Sequence, residues 1–247
     1  MLAGSQPAIA SAGAGTGVLA GAARGAADAP VTVGEPARQL TADEEGQLRS
    51  FFDAYDVADA DQDALLAAYE SGGRWLSMTP GAEPVDVRTE DNDGMRSTVS
   101  TFADGSVAVS GTSLPQAPLP RDPVRLASVT APSSVLAPSS VTGCRTSGST
   151  RVITYTNCLA KVDNGLVMMS FRFTWRLYVG SSASITSYSP NSRDHRCLGC
   201  VMSDHRVFRV SRTNVRYSAT IGLPPGEYLG WMGVRVGTGG ASTYQGP

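Results

Sequence analysis

The sequence has almost no lysine. Lys161 is the only one among 20 basic residues, and the other 19 are arginine. With abundant Ala and Gly, this bias reads as the product of a high-GC genome, so the arginines alone prove no recognition role. Histidine is nearly as scarce. His195 and His205 are the only two, so any histidine-dependent chemistry must use their one segment. No apolar run approaches the roughly 18 residues of a membrane-spanning helix, and no transmembrane segment is expected. There is no Gly-x-Ser-x-Gly elbow, HExxH, Walker or GxGxxG motif, so no catalytic residue is indicated. Low charge does not mean disorder here: charged residues are 17% but hydrophobic residues 41%, enough for a packed core.

The 247 residues carry a net charge of −2, which is a cancellation. Residues 1–140 hold 18 acidic against 8 basic side chains, and residues 141–247 hold 4 against 12. An acidic half of charge −10 is thus joined to a basic half of charge +8. Such asymmetry points either to attraction between the halves or to a polyanionic partner for the basic one.

Residues 1–37 form an Ala/Gly tail with too little apolar bulk to fold alone. Pro7 to Ala23 resembles the apolar stretch of an export signal, with a small-residue cleavage neighbourhood at Ala26–Ala29, although no basic residue precedes it. The expectation is a truncated or atypical export signal, with a plain tail as the alternative. Residues 38–111 read as an acidic helical hairpin plus a β-meander. Thr41 and Glu44 have capping-box spacing, and Leu48, Phe51, Phe52 and Tyr55 then recur on one helical face. A second helical pattern runs from Asp61 through Leu65, Leu66 and Tyr69 to Gly72-Gly73. Val85–Val87, Met95–Phe102 and Val107–Val109 alternate as strands between Asp/Gly turns. Residues 112–140 carry six prolines and are expected to be a linker and domain boundary.

Residues 141–247 read as an antiparallel β-sandwich, making the fold mainly β. Phe171, Phe173, Trp175 and Leu177 alternate with Arg172, Thr174, Arg176 and Tyr178. Val215, Tyr217, Ala219 and Ile221 alternate with Arg216, Ser218 and Thr220. Met232, Val234 and Val236 alternate with Trp231, Gly233 and Arg235. The hairpin at Phe102–Val107, the linker ending at Gly143-Cys144, the second cysteine at 158 and the Ser170-Phe171 strand together resemble exported two-part proteins of unknown function from high-GC Gram-positive bacteria. The resemblance spans about residues 75–180. It implies export and a β domain, and it assigns no catalytic residue.

Four cysteines, at 144, 158, 197 and 200, all lie in the basic half. An even number in one compact segment fits disulfides formed in an oxidising, extracellular setting, with Cys144 paired to Cys158 and Cys197 to Cys200 across a Leu198-Gly199 hairpin turn. The alternative at the second pair is zinc. His195, Cys197, Cys200 and His205 supply the four nitrogen and sulfur ligands of a structural site or of a small metal-dependent enzyme. No other cofactor is implied. Asp59, Asp61, Asp63 and Glu70 have the spacing of a calcium loop. The turn glycine that such a loop needs is Ala64, so an acidic helix start is expected instead.

The solvent-facing positions of the predicted strands carry Arg172, Arg176, Arg212, Arg216 and Arg235, with Tyr178 and Trp231 among them. If those strands are neighbours, they form one Arg-rich face with aromatic interruptions. Such a face suits an anionic polymer or cell-wall glycan, held by Coulomb attraction and bidentate forks. No recognised nucleic-acid module is present, and nucleic acid is not the expected partner. The leading expectation is therefore an exported, non-enzymatic polyanion- or carbohydrate-binding module. In the alternative, the acidic N-terminal part acts as a pro-segment covering the basic face.

Overall fold

The computed structural model describes residues 39–116, 143–223 and 226–246. The expected signal-like tail lies outside these residues, as does the linker from 117 to 140. The described residues belong to one compact unit, Gly34–Pro247.

Helix α1 (Ala42–Ala54) starts at the expected capping box. The Thr41 N–H donates to Glu44 Oε2 at 2.9 Å, and the Glu44 N–H donates back to Thr41 Oγ1 at 3.3 Å. Helix α2 (Asp59–Glu70) begins on the acidic run, with Asp59 and Asp61 in its first turn complementing the helix dipole. Strands β1 (Asp86–Asn92), β2 (Met95–Thr101) and β3 (Val107–Ser113) form the expected meander. After β4 (Pro115–Gln116) come β5 (Cys144–Gly148), β6 (Val152–Asp163), β7 (Val167–Tyr178) and β8 (Ser182–Cys197). The chain closes with β9 (Val201–Ser211), β10 (Asn214–Leu223), β11 (Gly226–Gly237) and β12 (Gly240–Gly246).

The first eight strands make one sheet and the last four another. Strand β6 organises the larger sheet. Along one edge it pairs first with β5 (Arg145↔Thr156) and then with β3 (Thr112↔Ala160), and along the other it pairs with β7, which pairs with β8. Asn157, at φ 60°, sits where the partner changes. The Cys144–Cys158 disulfide spans the same point, with Cα atoms 4.4 Å apart, and staples the seam between the two partners of β6.

The inward faces are those the alternation predicts. Phe171, Phe173 and Trp175 of β7 share one core with Val215, Tyr217, Ala219 and Ile221 of β10 and Met232, Val234 and Val236 of β11. The helices close one end of this sandwich. Leu48, Phe52, Leu65 and Tyr69 join the same core beside Leu166 and Leu198. The Tyr69 hydroxyl donates to the Gly199 carbonyl at 2.8 Å, and the Trp75 indole donates to the Leu65 carbonyl at 2.9 Å.

Two sequence expectations need revision. Residues 38–111 do not stand apart from 141–247, because β3 pairs with β6 and the helices enter the shared core. Thr112 and Ser113, placed in the linker, are β3 residues. The turn at Leu198-Gly199 is real, with Gly199 at φ 64°, but it closes no hairpin. It is the corner at which the chain leaves β8 in one sheet for β9 in the other. The two halves do touch, mainly through apolar side chains. Within the helical part Arg49 pairs with Glu45 and Asp63 at 2.9 Å each, and Glu44 Oε1 accepts from the Gly199 N–H of the other half at 3.0 Å.

Candidate functional site

The outer face of the four-stranded sheet is set by register. Arg216, Ser218, Trp231, Gly233 and Arg235 alternate with core residues, so they project away from the other sheet. Asn214 lies opposite Arg235, Arg216 opposite Gly233, and Ser218 opposite Trp231. β9 adds Phe208 beside Arg216 and Arg206 beside Ser218, and β12 adds Tyr244 beside Gly233 and Gly246 beside Trp231. The two glycines have a steric purpose. A Cβ at Gly233 would strike the Tyr244 ring, and one at Gly246 would strike the Trp231 ring. Both rings therefore lie down against the sheet and turn their other faces to the neighbouring arginines.

The Arg216 guanidinium sits 4.2 Å from the centroid of the Trp231 ring, and that of Arg235 sits 5.3 Å from the Tyr244 ring. The two rings meet edge to face at 5.5 Å. The Tyr244 hydroxyl donates to Asn214 Oδ1, which fixes the phenol. A guanidinium stacked on an aromatic face leaves its edge available to an anion where solvent reaches it, as at the exposed Arg235; Arg216 is half-buried, and its Nε is enclosed without a partner. Arg206, Arg212, Arg216 and Arg235 make no ion pair among the described residues. Acidic groups keep to the opposite end of the face: Asp204, which accepts from Thr220 Oγ1 at 3.3 Å, and Glu227 opposite Gly222.

The seven expected binding residues do not form one face. Arg216, Trp231 and Arg235 come together, and Arg212 lies at the adjoining β9–β10 turn. Arg172, Arg176 and Tyr178 lie on β7 in the other sheet, whose polar side faces the opposite way. Arg172 is further engaged by the Asn157 carbonyl, to which its Nη1 donates at 3.2 Å. Sequence reasoning missed Tyr244, Phe208 and Arg206. The short β12 carries no strong alternation, and Tyr244 gains its meaning only from facing Gly233.

At the second cysteine pair, Cys197 and Cys200 are joined as a disulfide, with Cα atoms 5.2 Å apart. Their sulfurs are bonded to each other and offer no thiolate to a metal. Among the described residues, no group of three or more His, Cys, Asp and Glu side chains converges. The four-ligand zinc set of His195, Cys197, Cys200 and His205 is therefore not assembled. The two histidines nevertheless meet, with ring centroids 4.2 Å apart across the corner between sheets. His205 Nδ1 lies 2.9 Å from the hydroxyl of the buried Tyr217. Burial, then the neighbouring His195, holds the His205 imidazolium pKa below its ordinary value, and burial pushes the Tyr217 phenol up to about 12.

One charge cluster had no sequence signal. Asp163 is only 5% exposed and takes Lys161 Nζ at 3.0 Å, Arg196 Nη2 at 3.1 Å and the Gly165 N–H at 3.0 Å. It fixes the β6–β7 turn beneath α1, and the only lysine of the chain is one of its two counter-charges.

No described helix is long and apolar enough to cross a membrane. The chain matches no protein-family model, and comparison with curated proteins and with solved structures finds no match.

Proposed function

We propose that the protein is an exported binding module that holds an anionic polymer on the outer face of its four-stranded sheet. The observation that carries this reading is the pair of stacked arginines. Arg216 on Trp231 and Arg235 on Tyr244 lie on one sheet face without an ion pair among the described residues, Arg235 exposed and Arg216 half-buried with its Nε enclosed. Stacking orders both side chains before a ligand arrives, so less rotamer entropy is lost on binding. Two disulfides in a chain of this size support an oxidising compartment, and hence export.

The test uses the full chain, because residues 141–247 share their core with the N-terminal elements. Binding to immobilised polygalacturonate and to teichoic-acid-bearing wall preparations is measured at rising NaCl, with neutral dextran as control. Affinity falls as salt rises. The double variant Arg216→Ala/Arg235→Ala removes two exposed charge contacts at about 0.2–1 kcal/mol each, a loss of about 2- to 30-fold. Arg172→Ala/Arg176→Ala, on the other sheet, leaves binding unchanged. Retention indifferent to salt, an equal loss from the Arg172/Arg176 variant, or binding to single-stranded DNA alone would each defeat the proposal.

A further inference from the structure

We propose that the outer face of the larger sheet holds a second site, for a single uncharged sugar ring, in the trough between the end of α1 and the β1–β2 turn. This inference does not rest on the polymer reading, which uses the other sheet. Register builds the trough. Glu90 of β1 lies opposite Ser97 of β2, Ser97 opposite Gly111 of β3, and Gly111 opposite Lys161 of β6. Lys161 alternates with the core residues Ala160 and Val162, so the whole row projects away from the core of the sandwich. The next row on this face includes Val99 and Val109, against which Phe51 and Tyr55 pack at the C-terminal end of α1. Ser97 is short and Gly111 has no side chain, so the floor between these walls is low. A Cβ at Gly111 would come within 2.7 Å of Ser97 Oγ. A cavity of about 270 Å³ opens over this floor, lined by all four residues of the row together with Tyr55 and Met95.

The polar groups of the trough are reachable and have capacity to spare. The Tyr55 and Ser97 hydroxyls make no hydrogen bond among the described residues, and neither is enclosed, since both side chains are only half-buried. Burial, then Asp163 and Glu90, hold the Tyr55 phenol pKa above its ordinary value, so the hydroxyl stays protonated. Lys161 Nζ lies 3.0 Å from Asp163 Oδ2, which occupies one of the three ammonium N–H groups and leaves two. Glu90 Oε1 accepts from Arg88 Nε at 2.7 Å, and Oε2 takes no hydrogen bond among the described residues. Each charge is matched by a neighbour, so the trough does not select a charged ligand. It offers spare donors at Lys161, a spare acceptor at Glu90 and two hydroxyls between them. A ligand with several hydroxyls answers all of these at once, because each hydroxyl both donates and accepts. A cavity of about 150 Å³ takes benzene, so this one takes about 11 non-hydrogen atoms, the size of one sugar ring.

Glucose, galactose, mannose and xylose are the probes, with cyclohexanol, a ring bearing one hydroxyl, and glucuronate, a sugar bearing a carboxylate, as controls. Each is titrated to about 100 mM into the full chain, and binding is read from backbone amide cross-peaks in proton–nitrogen correlation spectra. At least one neutral sugar is expected to shift the Ser97, Gly111 and Lys161 cross-peaks and to bind about tenfold more tightly than cyclohexanol. Glucuronate binds no more tightly than that sugar. Tyr55→Phe/Ser97→Ala removes both free hydroxyls, keeps the ring and the Cβ, and weakens the sugar about tenfold. Arg216→Ala/Arg235→Ala leaves sugar binding unchanged, so failure here and failure of the polymer reading are told apart. No sugar shifting these cross-peaks, cyclohexanol binding as tightly, glucuronate binding more tightly, or full affinity in the Tyr55/Ser97 variant would each overturn the proposal. Should that variant not fold, the cross-peaks shifted in the native chain decide alone.

Discussion

The two disulfides close loops of very different length, and their contributions should differ accordingly. Cys144 and Cys158 are 14 residues apart in sequence, and Cys197 and Cys200 only 3. A cross-link stabilises mainly by removing loop entropy from the unfolded chain. That amounts to about 3 kcal/mol for a loop near 15 residues and about 2 kcal/mol for the four-residue loop. For a domain of this size, 1 kcal/mol moves the midpoint by about 2–4 °C. Cys144→Ala/Cys158→Ala should therefore lower Tm by about 6–12 °C, and Cys197→Ala/Cys200→Ala by about 4–8 °C. The structure widens the gap. Cys144 and Cys158 are 2% and 0% exposed, so truncation also leaves small voids in the core. They further pin the point where β6 changes partner, whereas Cys197 and Cys200 sit at a corner and are half-buried. The measurement is thermal unfolding by circular dichroism of the oxidised native chain and the two double variants. A loss from the Cys197/Cys200 variant equal to or larger than that of the other would refute the seam-staple account. So would a Cys144/Cys158 variant within about 1 °C of native, well under the loop-entropy expectation.

Two further outcomes follow from buried or half-buried titratable groups. Asp163→Asn keeps the volume and an acceptor for the Gly165 N–H but strips Lys161 and Arg196 of their counter-charge. Urea unfolding should show a loss of about 2–3 kcal/mol at unchanged m, and a loss below about 0.5 kcal/mol would mean that the pair contributes nothing net. The pKa of His205 is depressed in the folded state, so the unfolded chain binds its proton first. Its contribution to stability is full above the ordinary imidazole value near 6.5 and declines as pH falls below it. His205→Gln should flatten the pH dependence of Tm between about pH 7 and 5; an unchanged slope in the variant would assign that dependence to other groups.

The elements were legible in the sequence wherever one residue type carries a local signal. The capping box at Thr41, the Phe171–Leu177 alternation and the Asp/Gly turns of the meander are decided by neighbours within a few positions, and each stands where expected. What failed to read was non-local. Six prolines suggested a boundary, yet proline reports only the stiffness of its own segment and says nothing of the strands on either side. The β3–β6 ladder that joins the two parts links residues about fifty positions apart. The Leu198-Gly199 turn looked like a hairpin because tight turns usually close one, but a sandwich also needs corners where the chain changes sheet. Asp163 gave no signal because its partners come from its own strand and from β8.

The candidate site was lost at the same step and recovered differently. Alternation tells which residues of a strand point outward, never which outward residues share a surface. Arg172 and Arg216 satisfy the same pattern and end on opposite sides of the molecule, because β7 and β10 belong to different sheets. Stacked sheets lie about 10 Å apart, with the core between them. An extended polymer therefore cannot contact both sets without passing around an edge. Of the +8 carried by residues 141–247, only the share on β9 to β11 bears on one ligand; there Arg216 and Arg235 stack on rings of the outer face, whereas Arg209 stacks on Tyr188 and donates to the Ile185 carbonyl of the other sheet. Composition alone could not make that selection, because a codon bias places arginine without regard to aromatic neighbours. Glycine too is abundant in this chain, but composition does not set its register: Gly233 stands opposite Tyr244 and Gly246 opposite Trp231, where any Cβ would strike the ring.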